Sequence, residues 1–425
     1  MILLSVKTWK SAQSARDYYT DEDAGLDYYS GEGESGGEFM GTKSAGIKSG
    51  TKTTSAHLDS LLGGYDSEGR GLVQNPGSSH RPGYDLTFSA PKSVSVLWAL
   101  GDKNSQKLVA AAHRNAVNAG LAHIEKYAAK TRRGKGGARV EGVKNLMFAK
   151  FDHATSREND PQIHTHCLLF NMAERIDGTF GAIESRYIFE EIMAAGAIYR
   201  AELADILEKT LGCESVREGK EFRILGIDET TVRSFSQRRN QIEKELMEKG
   251  YSSAHSAAIA ALSTRRKKET LDLVALRKKW RSMGQGFSQK RMVKRKIRKK
   301  EKLDTIKILD ELSEHQSTFS KRDIRKLLAQ KAQTITNKDG FEQGLKELFM
   351  SEQLVFVGNN KRGQPRYSTK KMILLEKNML KSAQQRANET THLVSLKLVN
   401  LEIKKFEASK KVTLTGEQRE MIIDL

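Results

Sequence analysis

The chain has 425 residues, with 72 Lys and Arg against 53 Asp and Glu, a formal charge of +19. That length implies two or three domains with ample material for a buried core, and the basic excess points to a polyanionic partner, of which nucleic acid is the commonest. Cys167 and Cys213 match no zinc-finger or redox spacing, no run approaches a membrane span, and Met1 to Val6 is too short for a signal-peptide core, so a cytoplasmic protein without membrane insertion is expected.

Ile2 to Val6 predicts a first strand, and Ser11 to Tyr19 a short helix capped by Ser11. The helix carries the pair Tyr18-Tyr19; an acidic link and a second pair, Tyr28-Tyr29, follow, before a Gly/Ser-rich loop over 30–50. Tyr84 to Phe88 alternates as a strand, and Pro91 suits the first turn of a helix ended by Gly101. Lys103 to Lys130 has helical periodicity, and the basic glycine-rich turn Arg132 to Gly137 leads back into the sheet. Phe148 to His153 and Ile163 to Phe170 read as two strands joined by a tight polar link. Asp177-Gly178 signals a hairpin, Tyr187 to Leu211 a long helix, Glu214 to Leu225 a second hairpin, and Asp228 the start of a helix bearing Arg238-Arg239. The dense basic run Lys290 to Lys300 marks a boundary. Beyond it, 303–381 reads as a small mixed domain, with a helix start at Thr318 to Ile324, a wing-like hairpin at 354–357 and 366–369, and a helix over 371–391. The order predicts an α+β fold: an antiparallel sheet with helices on one face.

Three features carry chemistry. His164 and His166 alternate onto one strand face, and an antiparallel neighbour brings His153 beside them, giving three neutral imidazoles able to hold a divalent ion with positions left open for substrate. A lone His-x-His is usually an ordinary strand pair; the third histidine is what sharpens the reading. The tandem tyrosines supply a candidate nucleophile whose attack on phosphorus would store the broken bond as a phosphotyrosine ester. Asp85, on the strand before Pro91, is placed to accept the phenol proton or to orient a histidine. Cys167 reads as a small core residue. Lys92, Arg132, Arg133, Arg238 and Arg239 are candidate DNA contacts; each alone reads better as a solvated surface charge, the group does not.

Taken together, Tyr18-Tyr19 with Tyr28-Tyr29, the block Tyr84-Asp85-Leu86-Thr87-Phe88-Ser89-Ala90-Pro91-Lys92-Ser93, and His153 through Arg157 to His164-Thr165-His166 resemble the conjugative relaxases with two tyrosine pairs, the MobF branch of the HUH endonucleases. The resemblance covers roughly 1–287. It implies a five-stranded antiparallel sheet with helices, in which Tyr18 nicks one strand at the transfer origin and Tyr28 serves the terminating strand transfer. Tyr19 and Tyr29 are then the secondary tyrosines, His153, His164 and His166 the metal ligands, Asp85 the acidic partner of the nucleophile, and Arg157 a further DNA contact. Thr165 stands where the wider HUH class has a bulky apolar residue; facing away from the metal, it is not expected to matter.

The resemblance further implies a divalent metal (Mg or Mn in use, with Zn or Ni compatible with three histidines) and single-stranded and hairpin DNA at the transfer origin as partner. Accessory DNA-binding proteins, a type IV secretion coupling protein, and translocation with the DNA to a recipient cell are implied too. The expected plan is a relaxase domain over 1–295, a basic linker and small winged domain over 296–405, and over 406–425 the start of a truncated superfamily 1 helicase, read from Leu414-Thr415-Gly416-Glu417-Gln418. No Gly-x4-Gly-Lys-Ser/Thr occurs, so no ATPase is expected in this chain. Two alternatives stay open: a rolling-circle replication initiator or transposase with the same chemistry, and a non-catalytic DNA-binding module.

Overall fold

The computed structural model describes residues 4–23, 37–41, 45–156, 158–248, 273–284, 302–387 and 394–423. Tyr28, Tyr29, Arg157 and the basic run 290–300 lie outside the described residues. The chain divides into two compact units, 1–367 and 368–425.

The first unit is built on a five-stranded antiparallel sheet of β1 (Leu4–Thr8), β2 (Glu38–Met40), β3 (Gly83–Ser89), β6 (Phe148–Thr155) and β7 (Pro161–Phe170), in the order β1-β3-β7-β6-β2. The α+β layout and the five antiparallel strands agree with expectation. β7 is the central strand and is covered on both faces. Ile163, Cys167 and Leu169 join a core with α3 (Lys92–Leu100), α4 (Lys103–Ala128) and α5 (Ser185–Leu211), while Leu168 and Phe170 join a second core with Trp9, Tyr19, Phe39 and Leu58. Burial on both sides explains the unbroken apolar run Cys167 to Phe170. The second core is capped by α1 (Ala12–Asp23) and α2 (Ser55–Leu62).

Ser11 accepts the Ser14 N–H at 3.1 Å, so the expected helix cap is formed. The basic turn at 132–137 lies in a separate four-stranded sheet, with β4 (Lys130–Arg133) pairing β5 (Arg139–Asn145), followed by β8 (Ala173–Arg175) and β9 (Phe180–Gly181). After the hairpin of β10 (Ser215–Glu218) and β11 (Glu221–Ile224), the single helix expected from Asp228 is two. α6 (Glu229–Ser234) ends at Phe235, whose ring is fully buried, and α7 (Gln237–Glu248) starts afresh with Arg238 and Arg239 in its first turn. A single straight helix could not both bury Phe235 and present that turn where it lies.

α8 (Leu273–Met283) returns to the first core through Leu276 and Trp280. The expected divide near 295 falls outside the described residues. On its far side come α9 (Thr305–Glu314), β12 (Phe319–Ser320), α10 (Lys321–Ala332), α11 (Lys338–Met350), and β13 (Leu354–Asn359) with β14 (Pro365–Thr369). Ser320 and Asp323 form a reciprocal capping box at the expected helix start. This segment packs on the outer face of α5: Leu303, Ile324, Leu328 and Phe341 share a core with Ala194, Ala197, Ile198 and Ala201. Glu191 on α5 takes both His123 at 3.0 Å and Arg325 at 3.1 Å. The second unit holds α12 (Lys370–Arg386), α13 (Leu396–Lys410) and α14 (Gly416–Ile423), with Glu407 bonding the Leu414 N–H and Arg419, each at 2.7 Å.

α4 and α5 approach closely because their facing residues are small: Ala112, Ala116, Ala119 and Gly120 against Ala194, Ala195 and Ala197. A Cβ on Gly120 would lie 2.5 Å from the Phe88 ring and 3.3 Å from the Ala195 carbonyl. Gly120→Val is therefore expected to destabilise the protein by about 1–3 kcal/mol through overpacking, read as a lowered denaturant midpoint with an unchanged slope.

Candidate active site

The antiparallel pairing of β6 with β7 sets His153 opposite His164 and Phe151 opposite His166, so the three imidazoles share one face. Their ring centroids form a triangle with every side 5.2 Å. A point equidistant from the three lies about 3 Å from each, roughly the ring-centre distance for an imidazole nitrogen bound at 2.0–2.1 Å. The ring planes are unequal, His153 and His164 lying 23° apart and His166 nearly perpendicular to His153. Consequently, among the described residues no group of three His, Cys, Asp or Glu side chains already has its donor atoms gathered as an ion would gather them. The three rings are spaced as an ion would require, and their planes do not converge on it.

The donor chemistry fits a divalent cation. The Gln162 carbonyl accepts the His164 Nδ1–H at 2.8 Å, and Asp85 accepts the His166 Nδ1–H at 2.9 Å. With Nδ1 donating in both, Nε2 is the nitrogen through which either ring, when neutral, would bind an ion. Asp85 reaches His166 because β3 pairs with β7: Asp85, Thr87 and Ser89 lie on the histidine face, and the Thr87 hydroxyl donates to Asp85 at 3.2 Å.

Tyr18 comes to the opposite side of His166. Its hydroxyl lies 3.4 Å from His166 Nε2, its ring 5.4 Å from Trp9, and the Lys7 ammonium sits 5.3 Å from its ring centre. Asp85 therefore stands behind the imidazole and Tyr18 in front of it, which favours the orienting role for Asp85 over direct acceptance of the phenol proton. Tyr19 is a different kind of residue. It is 1 % exposed and stacks on Phe151 at 4.4 Å and 17°, and burial holds its phenol well above the ordinary range. The pair thus divides into one half-buried tyrosine at the histidines and one core tyrosine.

A cavity of about 320 Å³ opens beside Tyr18, His153 and His164, lined further by Lys92, Gln162, Ser236, Arg238 and Arg239. Of the expected DNA contacts, Lys92, Arg238 and Arg239 are brought here. Arg132 and Arg133 are not: they sit in the four-stranded sheet, Arg132 bonded to Glu184 at 3.1 Å and Arg133 to Glu141 and Asp177, both at 2.6 Å. Their carboxylate partners, Glu184, Glu141 and Asp177, lie 8 to 52 residues away in sequence and are invisible in a local reading.

The β6–β7 connection is gripped from three directions. Lys92 donates to the Pro161 carbonyl at 3.0 Å, Asp160 accepts the Arg238 backbone N–H at 3.1 Å, and the Trp280 indole donates to the Asn159 carbonyl at 3.0 Å. Burial pulls the Lys92 ammonium down to about 8, with Asp160 opposing the shift. The sequence reading missed Trp280, Asp160, Ser236 and a set of buried polar groups behind the histidines, including His113; an indole inside a basic helix was the one local signal available.

Comparison with known proteins places this geometry among relatives. The TrwC relaxase family model matches residues 12–286. The chain is 34% identical over 287 residues to the multifunctional conjugation protein TraI of Escherichia coli, and 33% identical over 284 residues to TraI of strain K12. Each match covers 64% of this chain and 15% of the relative, so the chain spans a small fraction of the curated relatives' length. Among solved structures, it is similar to conjugative relaxase TrwC in a metal-bound complex with oriT DNA (TM-score 0.57, 33% identity, 66% of this chain and 96% of that one). It is also similar to TrwC with a 27-mer DNA comprising the recognition hairpin and the cleavage site (TM-score 0.56, 31% identity, 66% and 97%).

Asp85→Asn is expected to lower divalent-metal affinity about 10- to 100-fold while leaving the fold intact, since an amide holds the His166 tautomer without charge; calorimetric titration with Mn²⁺ reads it. For Lys92, the folded value of about 8 lies below the ordinary 10.5, so the native state binds fewer protons than the unfolded chain between them. The cost of burying the charge is full below pH 8 and fades as pH rises through that window. The melting temperature of wild type relative to Lys92→Met should therefore move in favour of wild type between about pH 7 and pH 10, and a flat difference would show a solvated ammonium.

Proposed function

The chain belongs to the TrwC relaxase family, and from that premise we propose that it is a conjugative relaxase, nicking one DNA strand at a transfer origin and later rejoining it. The observation that carries the reading is the Tyr18 hydroxyl 3.4 Å from a ring of the three-histidine face. Tyr18 attacks the scissile phosphorus in line; its Oη–P bond forms as the P–O3′ bond breaks and the phenol proton passes in net to the departing O3′, leaving a 5′-phosphotyrosyl strand and a free 3′-hydroxyl. His153, His164 and His166 would hold a divalent cation, which would supply charge neutralisation at the scissile phosphate. Asp85 acts through His166, holding the ring in the tautomer that faces the reaction. Trp9 and Lys7 fix the Tyr18 ring from its far side, and Arg238, Arg239 and Lys92 line the space into which the strand runs.

Magnesium or manganese is the metal proposed for use in the cell, and single-stranded plus hairpin DNA at the origin the substrate, in keeping with the DNA bound in the TrwC structures. Tyr28 is proposed for the terminating transfer and Arg157 for a DNA contact. The proposed plan keeps a relaxase domain over 1–295, a linker and winged domain over 296–405, and a motor lead-in from 406, without ATPase activity in this chain. Accessory DNA-binding proteins, a coupling protein and a cytoplasmic site of action complete the proposal. Among the described residues, no helix is long and apolar enough to cross a membrane.

The test is covalent adduct formation on a panel of labelled single-stranded origin oligonucleotides with Mg²⁺ or Mn²⁺. Wild type should form an EDTA-sensitive adduct and Tyr18→Phe none, while Tyr19→Phe should keep activity within about threefold, since a core ring needs no hydroxyl to pack on Phe151. An adduct on Tyr18→Phe equal to wild type overturns the assignment of the nucleophile.

A further inference from the structure

Thr165 lies between the two paired histidines with its side chain on the other face of the sheet, 1 % exposed. An isosteric valine would suit that core, and burying a hydroxyl costs free energy unless it is bonded. Its hydroxyl is bonded twice. It donates to Asp152 Oδ1 at 2.6 Å, so its oxygen accepts from His113 Nε2–H at 2.9 Å, and His113 Nδ1 in turn accepts the Tyr199 hydroxyl at 2.8 Å. Full burial lowers His113 to about 3, so its ring is neutral and has one donor and one acceptor to match. The result is a one-directional chain, Tyr199 to His113 to Thr165 to Asp152, ending on a carboxylate whose other oxygen meets Arg114 at 3.1 Å.

The placement of the chain is what matters. Thr165 adjoins His164 and His166, and Asp152, its cross-strand partner, adjoins His153. A single side-chain cross-link thus sits directly behind all three imidazoles. The ladder needs it there, because the β6–β7 register becomes irregular between His153 and Thr155. Neighbouring residues of α4, His113 and Arg114, hold the two ends of the link and tie it to the helical layer.

We propose that Thr165 is a positioning residue, and that its hydrogen-bond chain to His113 and Asp152 sets the strand geometry that keeps His153, His164 and His166 at metal-binding spacing. The proposal rests on the three-histidine reading above. It replaces the expectation that Thr165 is without consequence.

Thr165→Val, Thr165→Ser and Leu348→Ala are compared in the full chain, the last being a cavity control in α11, which holds no residue of the link. Thr165→Val is expected to bind Mn²⁺ about 10-fold more weakly by calorimetry, Thr165→Ser within about twofold of wild type, and Leu348→Ala, though destabilised in thermal melts, as wild type. In metal-free protein the ¹⁵N imidazole signals of all three histidines should move in Thr165→Val and return in Thr165→Ser. Wild-type affinity in Thr165→Val, or a loss matched by Leu348→Ala, overturns the proposal. A wild type that binds no Mn²⁺ sinks the metal reading instead, and the metal-free signals then decide: unmoved signals overturn the positioning role.

Discussion

Which face of a strand is buried decides how it pairs with its neighbour, and in β6 and β7 that decision also assembles the site. Both faces of β7 are packed, so a slip of one residue would exchange Leu168 and Phe170 with Cys167 and Leu169 and carry His164 and His166 into the helical core. The same register puts His153 opposite His164 and Asp85 within reach of His166. Core packing and site geometry are therefore one constraint. Histidine positions are held by the apolar packing on both faces of β7, which is the kind of rigid support a reactive constellation needs.

Much of this was legible in the sequence, for identifiable reasons. Strand alternation places His164 and His166 on one face without any knowledge of the fold, and the polar link from Ala154 to Gln162 makes a hairpin the natural partner for His153. Helix caps at Ser11 and Ser320 and the Asp177-Gly178 turn are local signals that local structure obeys. Contacts made across long stretches of chain were not legible. Nothing within reach of Tyr19 in sequence says that it stacks on Phe151 while Tyr18 turns to His166. His113 is 52 residues from Thr165, and in a helix of alanines it reads as an ordinary helical residue. The stretch around Arg132 and Arg133 likewise gives no sign of their carboxylate partners, which lie 8 to 52 residues further on. The break at Phe235 came from tertiary burial overriding a continuous helical pattern.

The outer face of α5 shows how closely the following segment is tied to this scaffold. Glu191 is buried between His123 and Arg325, so α4, α5 and α10 meet on one carboxylate, and removing Arg325 would leave that charge poorly compensated. Small residues serve twice along α5: inward they let α4 approach, outward they let Leu303 and Phe341 seat against the helix. Residues 302–367 thus complete the burial of a helix whose inner face packs under the histidine strands.

The connection between β6 and β7 has a different lesson. Asn159 holds a left-handed backbone conformation, φ 59°, while its carbonyl is taken by an indole some 120 residues further on. Because Lys92 and α7 grip the adjacent residues, the connection cannot open as an isolated loop; it belongs to one cooperative element with α8. Amide exchange at Asn159 should then report the docking of Trp280 rather than local fraying. The edge of the catalytic cleft is in this sense a long-range closure, made by a tryptophan that arrives only after most of the first unit has been laid down.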